Sequence, residues 1–216
     1  GNFIFMGTAN NNGASTALFT KVNADFYGAN GIYLGSDYSY LYGGVCVDIG
    51  IGHINGIMSG QTGYFKVWTN IPYASVTNVV YTFSHTSGPF SYANASLGIV
   101  GNVGSTSDYL GNLQLSGSIK NSSPNYLTFF SKVDFAIFDY YGRVIDVAYT
   151  FVQGSPYNYG SGTTDTALKP GETGSFSNTF AFAAYASAST YLNAFTWEEA
   201  YVALPSAAPF GVFDTP

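Results

Sequence analysis

Carboxylates are the side chains whose number and spacing come closest to a catalytic pattern. Asp134, Asp139 and Asp146 follow one another in the second half of the chain, and Glu198 and Glu199 are adjacent. Two carboxylates whose pKa values differ are the working groups of glycosidases and acid proteases. Adjacent residues of a strand point to opposite faces, so Glu198 and Glu199 cannot act on one bond. We therefore interpret the aspartates as solvated or turn-capping residues and expect no catalytic residues. A secreted acid hydrolase is the alternative.

Nucleophilic and metal-dependent chemistry have less support. The histidines, His53 and His85, lie in unlike contexts, and the chain has no Gly-x-Ser-x-Gly nucleophile motif. Cys46 and two histidines without ligand spacing do not make a tetrahedral metal site. Cys46 lies in an alternating apolar run, where we expect a buried thiol. The sequence therefore predicts neither a metal nor a cofactor.

The amino-acid composition excludes some classes of binding partner. The 216 residues include 6 basic and 12 acidic side chains, and only 8% are charged. So few cations cannot neutralise a phosphate backbone, which excludes nucleic acid as a partner. Hydrophobic residues make up 46% and aromatic residues 18%, which excludes disorder. A surface with so few titratable groups suits an extracellular protein, either one facing acid or an ordinary secreted β protein.

The sequence also leads to expectations about processing and about membrane association. The sequence begins with Gly1 rather than Met, from which we expect a mature secreted chain whose signal segment has been removed. It has no uninterrupted apolar stretch of about 18 residues, so we predict no membrane span.

Alternation of apolar and polar residues predicts strands throughout. The runs from Ala17 to Tyr27 and from Leu127 to Ile137 each place apolar side chains on one face, which a second sheet must cover. The sequence thus predicts an all-β fold of one or two β-sandwiches. We place an N-terminal strand and spacer at residues 1–13, a first sandwich at 14–122 and a second β region with a C-terminal coil at 123–216. No repeat of fixed period is apparent, so a solenoid is not expected.

Two further patterns point to carbohydrate. Asn94-Ala95-Ser96 and Asn121-Ser122-Ser123 are N-x-Ser/Thr acceptors, so we predict N-linked glycans at Asn94 and Asn121. Tyrosines cluster between residues 33 and 42, where stacked rings could bind a sugar. Cross-strand tyrosine pairs are the interpretation that we favour.

The N-terminal segment is short, uncharged and strongly apolar. Asn2, Phe3, Ile4, Phe5 and Met6 are followed by a polar spacer of three asparagines and a glycine. Such a strand either completes its own sheet or adds to the sheet of a neighbouring copy by β-augmentation. We predict the second. Repeated head to tail, a contact of this kind does not close, so it generates a filament.

Two resemblances accompany these patterns. The hairpin from Val133 to Val152 and the Leu-Lys-Pro-Gly-Glu turn beginning at Leu168 resemble the immunoglobulin-like modules of secreted archaeal and bacterial proteins. This resemblance implies an immunoglobulin-like or pilin-like β-sandwich. The β-rich chain with its apolar N-terminal strand resembles the thread filaments of thermoacidophilic archaea, which are similar in architecture to chaperone–usher pilins.

The second resemblance carries the functional expectation. It implies a glycosylated subunit of an extracellular, cell-surface filament used in adhesion or biofilm formation, a homopolymer rather than an enzyme. Its donor strand would be Asn2–Met6, and its glycans would be attached to Asn94 and Asn121. The chain departs from an alternating donor because Phe3 to Met6 are continuously apolar, which suits a strand buried on both faces. A carbohydrate-binding envelope module is the remaining alternative.

Overall fold

A computed structural model of the protein describes residues 1–48, 53–87, 91–92, 96–124, 126–158 and 164–199. It is built almost entirely of antiparallel strands joined by tight turns, so the predicted all-β sandwich class is confirmed. The described part of the chain contains no helix with the length and apolar composition of a membrane span. The strands are β1 Asn2–Asn10, β2 Ala17–Tyr27, β3 Tyr33–Tyr40, β4 Val45–Asp48, β5 His53–Ile57, β6 Thr62–Pro72, β7 Asn78–Ser87, β8 Ser91–Tyr92, β9 Leu97–Ser107, β10 Asn112–Asn121, β11 Thr128–Phe138, β12 Val144–Phe151, β13 Ser155–Asn158, β14 Thr164–Leu168, β15 Thr173–Ala184 and β16 Thr190–Glu199.

The chain is a tandem repeat of one seven-stranded unit, which the sequence analysis missed. Strands β1–β7 form domain 1 and β10–β16 form domain 2. Their elements follow in the same order, and a Tyr-Ala-Ser 3₁₀ turn follows the sixth strand of each domain, at Tyr73–Ser75 and Tyr185–Ser187. The second strand pairs in succession with the fifth and third strands along one edge and with the seventh along the other. The two domains therefore share one topology.

The two domains also share unusual backbone conformations at equivalent residues. Phe19 in β2 and Phe130 in β11 both adopt positive φ values, of 50° and 47°, at the point where each strand changes partner. Positive φ is rare for a bulky residue, so its recurrence 111 residues later marks a shared irregularity. Gly60 and Gly171, also 111 residues apart, both have φ of 78° in the turn before the sixth strand.

An asparagine fixes the linker after the first strand of each domain. The Asn11 side-chain amide donates to the carbonyl oxygens of Ile57 and Ser15 at 2.7 and 2.8 Å. The Asn121 amide donates to the carbonyl oxygens of Leu168 and Tyr126 at 2.9 and 2.7 Å. Each amide therefore ties the linker to the end of the fifth strand, so the first and second strands of a domain are held in the same relation.

Domain 1 and domain 2 fill their cores differently. Domain 1 has Ala24 and Thr69 at the positions where domain 2 has Phe135 and Phe180. The first strand compensates for this smaller volume. It contributes two aromatic side chains to domain 1, Phe3 and Phe5, where β10 contributes Leu113 and Leu115 to domain 2. The core of domain 1 is therefore built partly from β1.

The boundary between the domains lies earlier than predicted. β10 pairs with β15, and β9 pairs with β10, so both strands belong to the sheet of domain 2. We expected residues 121–125 to separate the two sandwiches, but the described part of this segment, residues 121–124, follows β10 inside domain 2. β8 pairs with β4 of domain 1, so the chain passes between domains in the segment between β8 and β9.

Candidate functional site

Asp146 belongs to an ion pair that links the two domains. Its Oδ1 lies 2.7 Å from Lys66 Nζ, and the aspartate side chain is 1% exposed. Its two oxygens also accept the backbone N–H groups of Val147 and Phe182, at 2.8 and 3.1 Å. A buried carboxylate whose oxygens are occupied by a lysine and by backbone N–H groups orders the interface rather than facing a substrate.

The other two clustered aspartates are also paired with cations, but with cations of their own domain. Asp134 Oδ1 lies 3.2 Å from Lys132 Nζ, and its Oδ2 accepts a hydrogen bond from the Asn55 amide at 2.5 Å. Asp139 Oδ2 lies 2.7 Å from a guanidinium nitrogen of Arg143 in the β11–β12 turn. Burial raises the pKa of Asp134, although Lys132 and Asn55 oppose that shift. At Asp139 burial also raises the pKa, but hydrogen bonds from Arg143 and Tyr141 have the larger effect, so the pKa is lowered.

The raised pKa of Asp134 predicts a dependence of stability on pH. The folded state binds this proton more tightly than the unfolded chain, whose ordinary pKa is 3.8. The resulting stabilisation is complete below that value and is lost as pH rises through the raised pKa. As the pH falls from 7 to 4, we therefore expect the free energy of unfolding of the natural protein to increase relative to that of Asp134→Asn. Denaturant unfolding across this range measures the difference, and parallel curves would contradict the assignment.

The structure does not bring the candidate catalytic groups together. Each of Asp134, Asp139 and Asp146 is paired with a cation. His53 lines a cavity between the domains, whereas His85 lines a separate cavity beside β7. Among the described residues, no group of three His, Cys, Asp or Glu side chains is placed to hold a metal ion. Cys46 is buried, as expected. The site with the clearest structural definition lies instead at the edge of domain 1.

The predicted donor residues Asn2–Met6 belong to β1, which pairs with β6 of the same chain. The register is antiparallel, with Ile4 opposite Trp68 and Met6 opposite Lys66. Phe3 and Phe5 point into the core of domain 1, where their rings lie 5.6 Å from Phe26 and 5.2 Å from Phe65. In the isolated chain the strand therefore completes its own sheet, which was the alternative that we did not favour.

The continuous apolar run in β1 has a structural explanation. Side chains alternate between the two faces of a strand, so Ile4 and Met6 lie on the face opposite Phe3 and Phe5. This second face carries the Lys66 side chain that bridges to Asp146, and β1 lies against β12 of domain 2. Both Ile4 and Met6 are half-buried. The strand is thus covered on both faces, as its composition predicted, but by its own two domains.

One edge of β1 has no partner strand in the described part of the chain. Among the described residues, β6 is the one strand that pairs with β1. Its counterpart in domain 2, β10, is paired on both edges, by β15 on one side and by β9 on the other. Domain 1 therefore lacks, within the described part of the chain, the strand that covers this edge in domain 2. An unpaired row of backbone N–H and C=O groups is a template for another strand.

Apolar side chains of β7 line the same opening. Tyr81 and Phe83 are 51% and 41% exposed, although their rings lie within 6 Å of Phe5 and Phe65 respectively. In domain 2 the residue that corresponds to Phe83 is Phe195, which packs into the core. We call the opening formed by the free edge of β1 and the side chains of Tyr81 and Phe83 the acceptor groove. A cavity of about 620 Å³ between the β1–β2 linker and the end of β7 continues it.

The two predicted glycosylation sites differ in position. Asn94 lies outside the described residues. Asn121 is fully buried, and its Nδ2 atom, to which a glycan would be attached, donates the two hydrogen bonds that fix the linker in domain 2. A glycan on Asn121 and a folded domain 2 therefore exclude each other.

This geometry gives a direct prediction about modification. We expect Asn121 to be unmodified in folded protein recovered from its native source. Mass spectrometry of proteolytic glycopeptides measures occupancy, with the peptide that contains Asn94 as the internal comparison. A glycan found on Asn121 would contradict the arrangement of this linker.

No protein-family model, curated protein or solved structure matches the chain.

Proposed function

We propose that the protein is a structural subunit of an extracellular filament, polymerising head to tail by donor-strand complementation at the acceptor groove. The observation that supports this is the difference between the two domains. β10 is covered by β9, whereas the equivalent edge of β1 is open beside exposed Tyr81 and Phe83. A strand from a second copy would pair with the open edge and cover the two rings, as β9 pairs with β10 and packs against the core that includes Phe195 in domain 2.

The arrangement favours a filament over a closed dimer. The acceptor groove belongs to domain 1, so a strand donated from a different part of a second copy makes a contact between unlike surfaces. Such a heterologous contact leaves one groove and one donor free at the two ends, and repetition extends the assembly. Contacts between β1 and β12 hold the two domains of each subunit against each other within the repeat.

The proposal changes the role predicted for Asn2–Met6 and keeps one of the two predicted glycosylation sites. In this proposal Asn2–Met6 would lie at the junction between copies as the strand that receives the donor, in place of the donor role that the sequence predicted. A low-charge surface with Asn94 as the remaining predicted acceptor suits a glycosylated filament exposed outside the cell, in adhesion or biofilm formation. A homopolymer of this kind needs no catalysis and no cofactor.

The acceptor groove can be tested with one substitution. Phe83→Asp places a charge where the donated strand would pack, and burial of a phenylalanine contributes about 1.5–3 kcal/mol. We expect the critical concentration for assembly to rise at least tenfold, since each 1.4 kcal/mol changes an equilibrium tenfold. Negative-stain microscopy and sedimentation measure filament formation.

Two controls make the outcome interpretable. Tyr109→Asp introduces the same charge at an aromatic side chain that is 93% exposed in the β9–β10 turn, and it should assemble normally. Circular dichroism and thermal unfolding establish that the Phe83→Asp protein is folded. Unchanged assembly of a folded Phe83→Asp protein, or a natural protein that stays monomeric at every concentration, would overturn the proposal.

A second candidate function is carbohydrate binding, and one cavity favours it. A cavity of about 660 Å³ lies between the domains, and its lining includes Asn55 and Lys132. Aromatic rings dominate the rest of the wall and offer stacking surfaces for a sugar. They are Phe19, Tyr40, Tyr42, Phe130, Tyr149 and Phe151. Binding of oligosaccharides that is lost in Tyr42→Ala, measured by calorimetry, would support this function. An absence of binding to a broad glycan array would remove it.

A further inference from the structure

We infer that the Lys132 amine and the Asn55 side-chain amide condense to an isopeptide bond that joins domain 1 to domain 2, with loss of ammonia. The bond lies within one chain, so the inference goes beyond the proposed function and does not depend on filament assembly. It follows from an amine, a carboxylate and an amide that meet between the domains. They belong to Lys132 and Asp134 of β11 and to Asn55 of β5.

The Asp134 carboxylate holds the amine and the amide beside each other. Its Oδ1 lies 3.2 Å from Lys132 Nζ, and its Oδ2 accepts a hydrogen bond from Asn55 Nδ2 at 2.5 Å. Because both oxygens belong to one carboxylate, the amine and the amide are neighbours in the folded protein, although they come from different domains. Two reacting groups held in this way meet without the entropy cost of a bimolecular encounter.

The surroundings favour the uncharged forms that this reaction needs. The side chain of Asp134 is 1% exposed, and burial raises its pKa. Transfer of a proton from Lys132 to Asp134 leaves both groups neutral and gives the amine the free lone pair of a nucleophile. The rings of Tyr149 and Tyr42 lie 4.8 and 5.7 Å from Nζ and restrict the positions that the amine can take.

The Asn55 side chain supplies the electrophile. Its Oδ1 atom is buried and has no hydrogen-bond partner among the described residues, which is unfavourable for a buried acceptor. Rotation of the amide by half a turn places Oδ1 against the protonated Asp134 in place of Nδ2. The acid then donates a hydrogen bond to this oxygen and polarises the carbonyl for attack at Cγ.

The reaction needs no further reagent. The Nζ lone pair forms a bond to Asn55 Cγ, and the carbonyl oxygen takes the proton from Asp134. The carbonyl then forms again as the Cγ–Nδ2 bond breaks, and protons from Nζ and from this oxygen pass through Asp134 to the departing nitrogen. A lysine ammonium and a primary amide thus become a secondary amide and an ammonium ion, and Asp134 returns to the carboxylate. The cavity between the domains, whose wall includes Asn55 and Lys132, lets the ammonium ion leave.

Domain 1 provides a matched lysine without the reactive set. Lys21 has the position in β2 that Lys132 has in β11, because each lies two residues after the phenylalanine with positive φ. Its Nζ lies 3.7 Å from the centre of the Tyr38 ring. The counterpart of Asp134, however, is Asn23, whose amide cannot take up a proton as a carboxylate does. We therefore expect Lys21 to remain a free amine.

Mass spectrometry of the denatured full chain tests the bond. We expect folded natural protein to be lighter than its sequence by one ammonia molecule. Trypsin should cleave after Lys21 but not after Lys132, and fragmentation should show Lys132 joined to the peptide that contains Asn55. Lys132→Arg keeps the positive charge but lacks the primary amine, so this variant should have the full mass of its sequence.

Asp134→Asn tests the role of the carboxylate. General acid–base catalysis contributes about 100-fold or more, so this variant should form the bond at least about 100-fold more slowly when its mass is followed with time. Circular dichroism establishes that both variants are folded. Should Asp134→Asn fail to fold, the comparison of natural protein with Lys132→Arg still decides the inference.

A different loss of ammonia is distinguished by the same variants. Cyclisation of Asn55 onto the backbone nitrogen of Gly56 would release ammonia as well, but it does not involve Lys132 and would persist in Lys132→Arg. A mass lower by one ammonia molecule in folded Lys132→Arg would therefore overturn the inference. So would the full mass in folded natural protein after prolonged incubation. Filament formation is measured separately, so neither result decides the proposed function.

Discussion

Replacing Phe135 by alanine is expected to destabilise domain 2 by about 3–5 kcal/mol. The ring is 1% exposed and lies 5.6 Å from Phe176, 5.8 Å from Phe180 and 5.7 Å from Tyr191, between both sheets of the sandwich. Its removal leaves a cavity that rigid neighbouring strands cannot fill. Denaturant unfolding followed by aromatic fluorescence measures the loss as a shift of midpoint.

A matched substitution at an exposed tyrosine shows how much stability is lost when an aromatic ring outside the core is removed. Tyr140 is 86% exposed in the β11–β12 turn, so Tyr140→Ala should change stability by no more than about 0.5 kcal/mol. A cost below 1 kcal/mol for Phe135→Ala would show that the two sheets of domain 2 do not pack as the structure has them.

The second large effect is expected from Asp146→Ala. The substitution removes the carboxylate from Lys66, whose side chain is 19% exposed, and leaves the N–H groups of Val147 and Phe182 without their acceptor. Breaking a buried ion pair from one side costs about 3–5 kcal/mol, and the partial exposure of Lys66 places this pair at the lower end. Thermal unfolding measures the loss of stability.

A double-mutant cycle isolates the pair. Lys66→Met combined with Asp146→Ala removes both charges, so the double variant should lose less stability than the sum of the two single variants. Asp37→Ala, which removes a carboxylate from an exposed position on β3, is the control for net charge and should have little effect. Additive losses in the cycle would contradict direct pairing across the domains.

The strands and the unusual character of β1 could be predicted from the sequence because both depend on local patterns. Alternation between Ala17 and Tyr27 requires one buried face, and this strand does form the centre of domain 1. The continuous apolar run of β1 correctly indicated burial on both faces. The sequence could not say which molecule covers those faces, since a strand makes the same contacts in its own fold and in that of a copy.

The tandem repeat and the structural role of Asn121 were not predicted, because they depend on backbone conformations and on contacts between residues distant in sequence. The two units share backbone conformations, such as positive φ at Phe19 and Phe130, more than they share side chains. Ala24 corresponds to Phe135, so even the core positions differ in volume, and compensation comes from another strand. Asn121 matched a glycosylation motif, but its burial depends on Leu168, which is distant in sequence. The signal that could have revealed both was the recurrence of an asparagine before each second strand.

A high-resolution map of the assembled protein would show directly whether strands are exchanged between copies. We expect β1 of each subunit to lie between β6 of its own chain and an added strand from the next copy, with Tyr81 and Phe83 buried beneath that strand. A map in which β1 is paired with β6 of a neighbouring copy would restore Asn2–Met6 as the donor and contradict the acceptor groove. Filaments in which the outer edge of β1 remains unpaired would contradict strand complementation at this site altogether.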